Sequence, residues 1–66
     1  MTEKFMRLPA VLEATGLSYV TIYRMIKKGT FPKQIPLSGN TVGWREKDVA
    51  AWQAERMKAA GVPEAA

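Results

Sequence analysis

Apolar residues recur along this chain in three helical runs and one alternating run, separated by glycine, proline and serine. Phe5 to Leu8 reads as a short strand or an extended lead-in. Pro9 suits the first turn of a helix, where its missing N–H leaves no bond unmade, and the stripe Val11, Leu12, Ala14 carries that helix to Thr15. Gly16 is placed to end it as a left-handed cap. Leu17 then plugs the corner, and Ser18 can cap a second helix by accepting from an early backbone N–H. That helix runs to Lys28, with Lys27 and Lys28 opposing its negative end and Gly29 closing it.

With Ile22 at the centre of the second helix's wheel, Ser18, Met25 and Ile26 fall near it, and Val20, Tyr23, Arg24 and Lys27 fall on the far side. One face packs and the other is basic and aromatic. After Phe31 and Pro32, Ile35 and Leu37 alternate before Ser38-Gly39-Asn40-Thr41, and Val42 and Trp44 alternate after it. A two-residue Gly39-Asn40 loop predicts a hairpin in which Leu37 faces Val42 and Ile35 faces Trp44, all four on one face. Pro36 marks an edge strand. A third helix is predicted from Glu46 to about Ala60, with Glu46 and Asp48 in its first turn, Arg45 as a poor cap, and Val49 and Trp52 as its anchors.

The organisation that follows is a flexible segment 1–4, one domain over 5–60 and a flexible tail 61–66. With 66 residues, there is room for one modest core, since a chain this short buries only about 60% of its unfolded surface. Cysteine and histidine are both absent, which removes disulfides, thiolate or imidazole metal sites and His- or Cys-based catalysis. No cofactor is expected. The acidic residues show no paired arrangement with a nucleophile, so an enzyme is not expected either. No apolar run reaches the roughly 18 residues needed to cross a bilayer, and the composition suits a reducing cytoplasm, with the protein associated with the nucleoid.

Charge sharpens this picture. The net charge is +4, yet between Ala14 and Arg45 there is no acidic residue, while Arg24, Lys27, Lys28, Lys33 and Arg45 are all basic. A single-sign block suits a surface that meets a polyanion, although a solvated basic face has the same signature. Two short helices joined through Gly16-Leu17 match the helix-turn-helix plan, in which the first helix braces the second in the major groove. The hairpin that follows has the length of a wing able to reach the phosphate backbone or minor groove.

The ordered pieces Arg7-Leu8-Pro9, Thr15-Gly16-Leu17-Ser18, Thr21-Ile22-Tyr23-Arg24, Lys27-Lys28-Gly29, Phe31-Pro32, Val42-Gly43-Trp44-Arg45 and Val49-Ala50-Ala51-Trp52 resemble the AlpA family of phage-associated regulators over about residues 5 to 58. The resemblance implies a mainly α fold with a small β-hairpin, a MerR-like winged helix-turn-helix. It also implies double-stranded DNA as partner and a role in transcriptional control of phage or mobile-element genes, or alternatively as an excisionase-type recombination directionality factor. Tyr19 stands where such proteins often carry a basic or small residue, so the base preference is not carried over. MerR regulators add a dimerisation helix and an effector domain; the sequence shows neither, and no small-molecule effector is expected. A small protein-interaction adaptor with an acidic partner is the more distant alternative.

Each candidate contact has a structural alternative. Arg24 can pair bidentately with guanine O6 and N7 or clamp a phosphate, and Lys27 suits phosphate because ammonium is a mobile point charge. Ser18, Tyr19 and Val20 occupy the turn of a recognition helix that enters the groove first. Val20 can touch a thymine methyl, Ser18 is equally a plain cap, and Tyr19 can instead pack on the hydrophobic edge. Tyr23 can give its hydroxyl to a phosphate while its ring leans on the core. Thr21 can reach phosphate or simply fill the helix, and Lys28 adds charge at the helix end. In the hairpin, Lys33, Asn40, Thr41 and Arg45 are candidates for backbone or minor-groove contact. The alternative for Arg45 is an exposed salt bridge to Glu46 or Asp48. Trp44 and Trp52 are assigned to the core, and further copies of the chain on DNA are possible partners.

Overall fold

The computed structural model describes residues 2–61, and its elements run β1 (Phe5–Met6), α1 (Leu8–Thr15), α2 (Tyr19–Lys28), β2 (Ile35–Ser38), β3 (Thr41–Arg45) and α3 (Glu46–Ala59). Met1 and the predicted tail from Val62 onward lie outside the described residues. Helix α1 begins one residue before Pro9, which sits in its first turn. The helix stops where Gly16 turns to φ 73° and donates its N–H to the Leu12 carbonyl at 2.8 Å. The Thr15 hydroxyl also donates, to the Val11 carbonyl at 2.8 Å, which holds the last turn closed.

Helix α2 starts as the sequence predicts. Ser18 is extended, and its Oγ accepts from the Thr21 N–H at 3.3 Å, satisfying one of the donors that a helix start leaves free. At the other end Gly29 adopts φ 81°, and Gly29 and Thr30 donate to the carbonyls of Ile26 and Met25 at 3.1 and 2.9 Å. Both helix-ending glycines need a left-handed backbone that a side chain disfavours.

The sheet has three antiparallel strands in the order β1-β3-β2, so β3 is central and β1 extends the expected hairpin. The Gly39-Asn40 loop forms, with Ser38 opposite Thr41, but the register behind it differs from the predicted one. A bulge between Pro36 and Ser38 places Pro36 opposite Val42 and Ile35 opposite Gly43. Ile35 therefore does not face Trp44, nor Leu37 Val42, and the four apolar residues do not share a face. Val42 and Trp44 lie on one face with Met6, which pairs with Trp44. The physical reason lies at Gly43. Leu37 lies over its bare backbone, so close that a Cβ there would meet Leu37 Cδ1 at 2.9 Å.

The core comprises Val11 of α1, Ile22 of α2, Phe31 of the loop after it, Trp44 of β3 and Val49 of α3. Leu17 and Trp52 pack against it half-buried, so Trp52 is a flank rather than a centre. Phe31 enters from the loop after α2, where helical periodicity says nothing about burial, and its ring meets that of Trp52 edge-on at 5.1 Å. The indole N–H groups of Trp44 and Trp52 donate to the carbonyls of Pro32 and Thr30 at 2.9 and 3.1 Å, fixing this loop from both sides. Gln53 Nε2 donates to the Ala14 carbonyl at 2.9 Å, tying α3 to α1. At the N-terminus, the Lys4 carbonyl accepts from the Glu46 N–H at 2.9 Å, so the residues just before β1 are joined to the start of α3. The result is a winged helix-turn-helix: α1 and α2 across a tight turn, then a hairpin, then a closing helix.

Candidate nucleic-acid interface

The site begins with the side of α2 that the core does not use. Ile22 is fully buried, and Met25 and Ile26 flank it against the core. Opposite Ile22, at helical spacing, Val20, Arg24 and Lys27 form a line along the helix, and all three are exposed. Lys28 is exposed beside them, and Tyr19 and Ser18 complete the leading end. Ser18 is tied by its cap, and its hydroxyl also lies 3.1 Å from that of half-buried Thr21. The helix thus presents an apolar and hydroxyl-bearing first turn followed by cations.

Tyr23 is half-buried, and its ring leans on the core. It stands edge-on to Trp44 with centroids 6.4 Å apart, and Tyr19 stands edge-on to Tyr23 at the same separation. This chain of rings connects the leading turn of α2 to the buried centre of β3. Edge-to-face aromatic contacts of this kind stabilise beyond area burial, so the first turn is held from the side as well as capped from below.

The remaining candidates divide. Lys33 is exposed in the segment joining α2 to β2, Asn40 is exposed in the hairpin loop, and Thr41 beside it is half-buried. Arg45 is not brought to them, because it lies at the other end of β3 from the hairpin tip. Its Nε and Nη2 donate to the two carboxylate oxygens of Asp48 at 3.0 and 2.9 Å, and Nη1 lies 3.7 Å from Glu3. These hydrogen bonds, reinforced by charge, raise the Arg45 pKa and hold the Asp48 carboxyl below its ordinary value against a smaller opposing effect of burial. Lys47 also approaches Glu3, at 3.6 Å. Of Arg45's two predicted acidic partners, Asp48 is the one engaged. Glu3 comes from far along the chain, and nothing in the local pattern announces its approach to Arg45.

Among the described residues, none of Arg24, Lys27, Lys28 and Lys33 forms an ion pair. Their charges are left facing solvent. Also among the described residues, no cluster of three or more acidic, histidine or cysteine side chains is placed to hold a metal, and no helix is long and apolar enough to cross a membrane.

Residues 4–57 match the family described as prophage CP4-57 regulatory protein (AlpA). The chain is 36% identical over 61 residues to the DNA-binding transcriptional activator AlpA of Escherichia coli strain K12, covering 83% of this chain and 87% of that protein. It is 47% identical over 55 residues to an uncharacterized protein, ORF88, of Enterobacteria phage P4; that match covers 83% of this chain and 62% of the phage protein.

Proposed function

This chain belongs to the AlpA family of prophage regulatory proteins, and from that premise we propose that it binds double-stranded DNA sequence-specifically to regulate phage or mobile-element genes. Helix α2 enters the major groove with Ser18, Tyr19 and Val20 leading, Arg24 reads a base edge, and Lys27 and Lys28 meet phosphates. Tyr23 offers its hydroxyl, and Thr21 its side, to the same backbone. The β2–β3 hairpin lies along the neighbouring backbone or minor groove through Lys33, Asn40 and Thr41. The observation that carries this reading is the outer line of α2, where Arg24 and Lys27 stand opposite a fully buried Ile22 with Lys28 beside them, none with an acidic partner among the described residues. A folding role does not require them there.

Arg45 is assigned to the base of the sheet, because its guanidinium is already occupied by Asp48 and Glu3. One module of this size covers a single half-site, so useful specificity calls for further copies side by side on DNA. The test is selection of bound sequences from a random duplex pool, followed by titration of the recovered site at several salt concentrations. A defined motif bound with steep salt dependence is expected. Recovery of no motif, with salt-insensitive binding, would end the proposal.

A further inference from the structure

We propose that Val20 reads the 5-methyl group of a thymine, and that this thymine lies within about two base pairs of a guanine read by Arg24. The inference rests on the reading of α2 as the groove-facing helix and adds the base it selects. Val20 is 49% exposed, although a β-branched side chain is a poor choice for an exposed helix position. The core does not use it, because it stands opposite Ile22, and the next residues on its line are Arg24 and Lys27. It is thus an apolar group at the leading end of an otherwise cationic stripe.

An isopropyl group neither donates nor accepts hydrogen bonds. Against a purine N7 or O6, or a cytosine amino group, it would strip water from a polar edge and return nothing. The thymine methyl is the apolar feature of the major-groove edge, and it is the complement Val20 can fill. Contact of this kind requires a helix turn that does not yield. Here the turn is capped by Ser18, whose Oγ accepts from Thr21, and is braced laterally by Tyr19 on Tyr23 and Tyr23 on Trp44. Residues four apart on a helix are separated by about 6 Å along its axis, against about 3.4 Å per base in the duplex. Arg24, one turn after Val20, therefore falls within about two base pairs of the base that Val20 touches.

The experiment uses the duplex recovered by selection, with each thymidine replaced in turn by deoxyuridine, which removes the methyl and keeps every hydrogen-bonding group. Wild-type protein should bind about fourfold more weakly when one particular methyl is removed, the worth of one buried methylene-sized group. Val20→Ala, at an exposed position where alanine favours the helix, should keep the wild-type thermal midpoint and bind the thymidine and deoxyuridine duplexes equally. Indifference of the wild type to every such replacement, or full retention of the methyl preference in Val20→Ala, would overturn the assignment. A sensitive thymine with no guanine within two base pairs would overturn the spacing. Failure to recover any duplex is a different result, since it removes the groove-facing role of α2 itself.

Discussion

The Trp44 indole N–H donates to the Pro32 carbonyl at 2.9 Å while its rings are wholly excluded from solvent. One residue of the central strand thus fills the core and fixes the loop that leaves α2. Truncation to alanine should cost about 3 to 5 kcal/mol. A domain this small holds only about 3 to 10 kcal/mol in all, so Trp44→Ala should be largely unfolded by circular dichroism at room temperature. Trp44→Phe keeps most of the burial but leaves the Pro32 carbonyl without its donor, and its urea midpoint should fall by the equivalent of about 1 to 3 kcal/mol. Trp52→Ala should cost less than Trp44→Ala, because Trp52 is only half-buried. Equal losses would show that the two indoles share the core alike.

A second prediction concerns Gly43, where an added Cβ would meet Leu37 Cδ1 at 2.9 Å and the Met6 carbonyl at 3.0 Å. The leucine tip can move, whereas the carbonyl belongs to the backbone of β1. Gly43→Ala should therefore destabilise by about 1 to 3 kcal/mol, as overpacking does. Adding Leu37→Ala should recover only part of the loss in urea unfolding. Complete recovery would mean that β1 shifts freely and that Leu37 alone sets the register.

The same glycine shows where reading the chain by pattern stops. The helix ends were legible because each depends on a few neighbouring residues: Gly16 and Gly29 supply the left-handed turn, and Ser18 supplies the cap. The buried side of α2 was legible for a similar reason, since a period near 3.6 places Ile22, Met25 and Ile26 together. The Gly39-Asn40 loop was legible too, yet the strand behind it was not. A bulge inserts one residue without altering the apolar alternation of Ile35 and Leu37, so nothing local announces it. The place of β1 beside β3 and the approach of Glu3 to Arg45 depend on how distant segments meet. The burial of Phe31 is not legible from pattern, because a loop residue carries no period. The exposed stripe on α2 needed only the wheel, and so the candidate interface was more readable than the sheet that supports it.

The Arg45–Asp48 pair makes stability depend on pH in a defined direction. Hydrogen bonds from Arg45 are the largest cause holding the Asp48 carboxyl below its ordinary value in the folded chain. Its contribution is therefore fully present above the unfolded carboxylate pKa of about 3.9, and it is lost as pH falls through the lower folded value. Wild type should lose more of its urea midpoint between pH 5 and about pH 2 than Asp48→Asn does. The pair is partly exposed, so the difference should be small and should shrink further in high salt. Parallel pH profiles for the two proteins would show that the pair contributes nothing to folding.

The last prediction separates the cations by what each one meets. If Lys27, Lys28 and Lys33 together neutralise ~3 phosphates, the logarithm of the affinity should fall against the logarithm of salt with a slope of roughly −3. Lys27→Ala and Lys33→Ala should each reduce the magnitude of that slope by about 1 and weaken all duplexes alike, because a phosphate contact carries no sequence information. Arg24→Ala should behave differently, losing discrimination at one or two positions of the selected motif at a cost of about 1 to 3 kcal/mol. Arg45→Ala provides the contrast. Its guanidinium already holds Asp48 at 2.9 and 3.0 Å and approaches Glu3 at 3.7 Å, so the variant should lower the urea midpoint and leave slope and motif unchanged. Titrations of all four variants at several salt concentrations, with unfolding curves beside them, make the comparison. A slope that drops for Arg45→Ala in a folded protein would move that residue from the base of the sheet to the DNA. An unchanged motif for Arg24→Ala would leave α2 without its base reader.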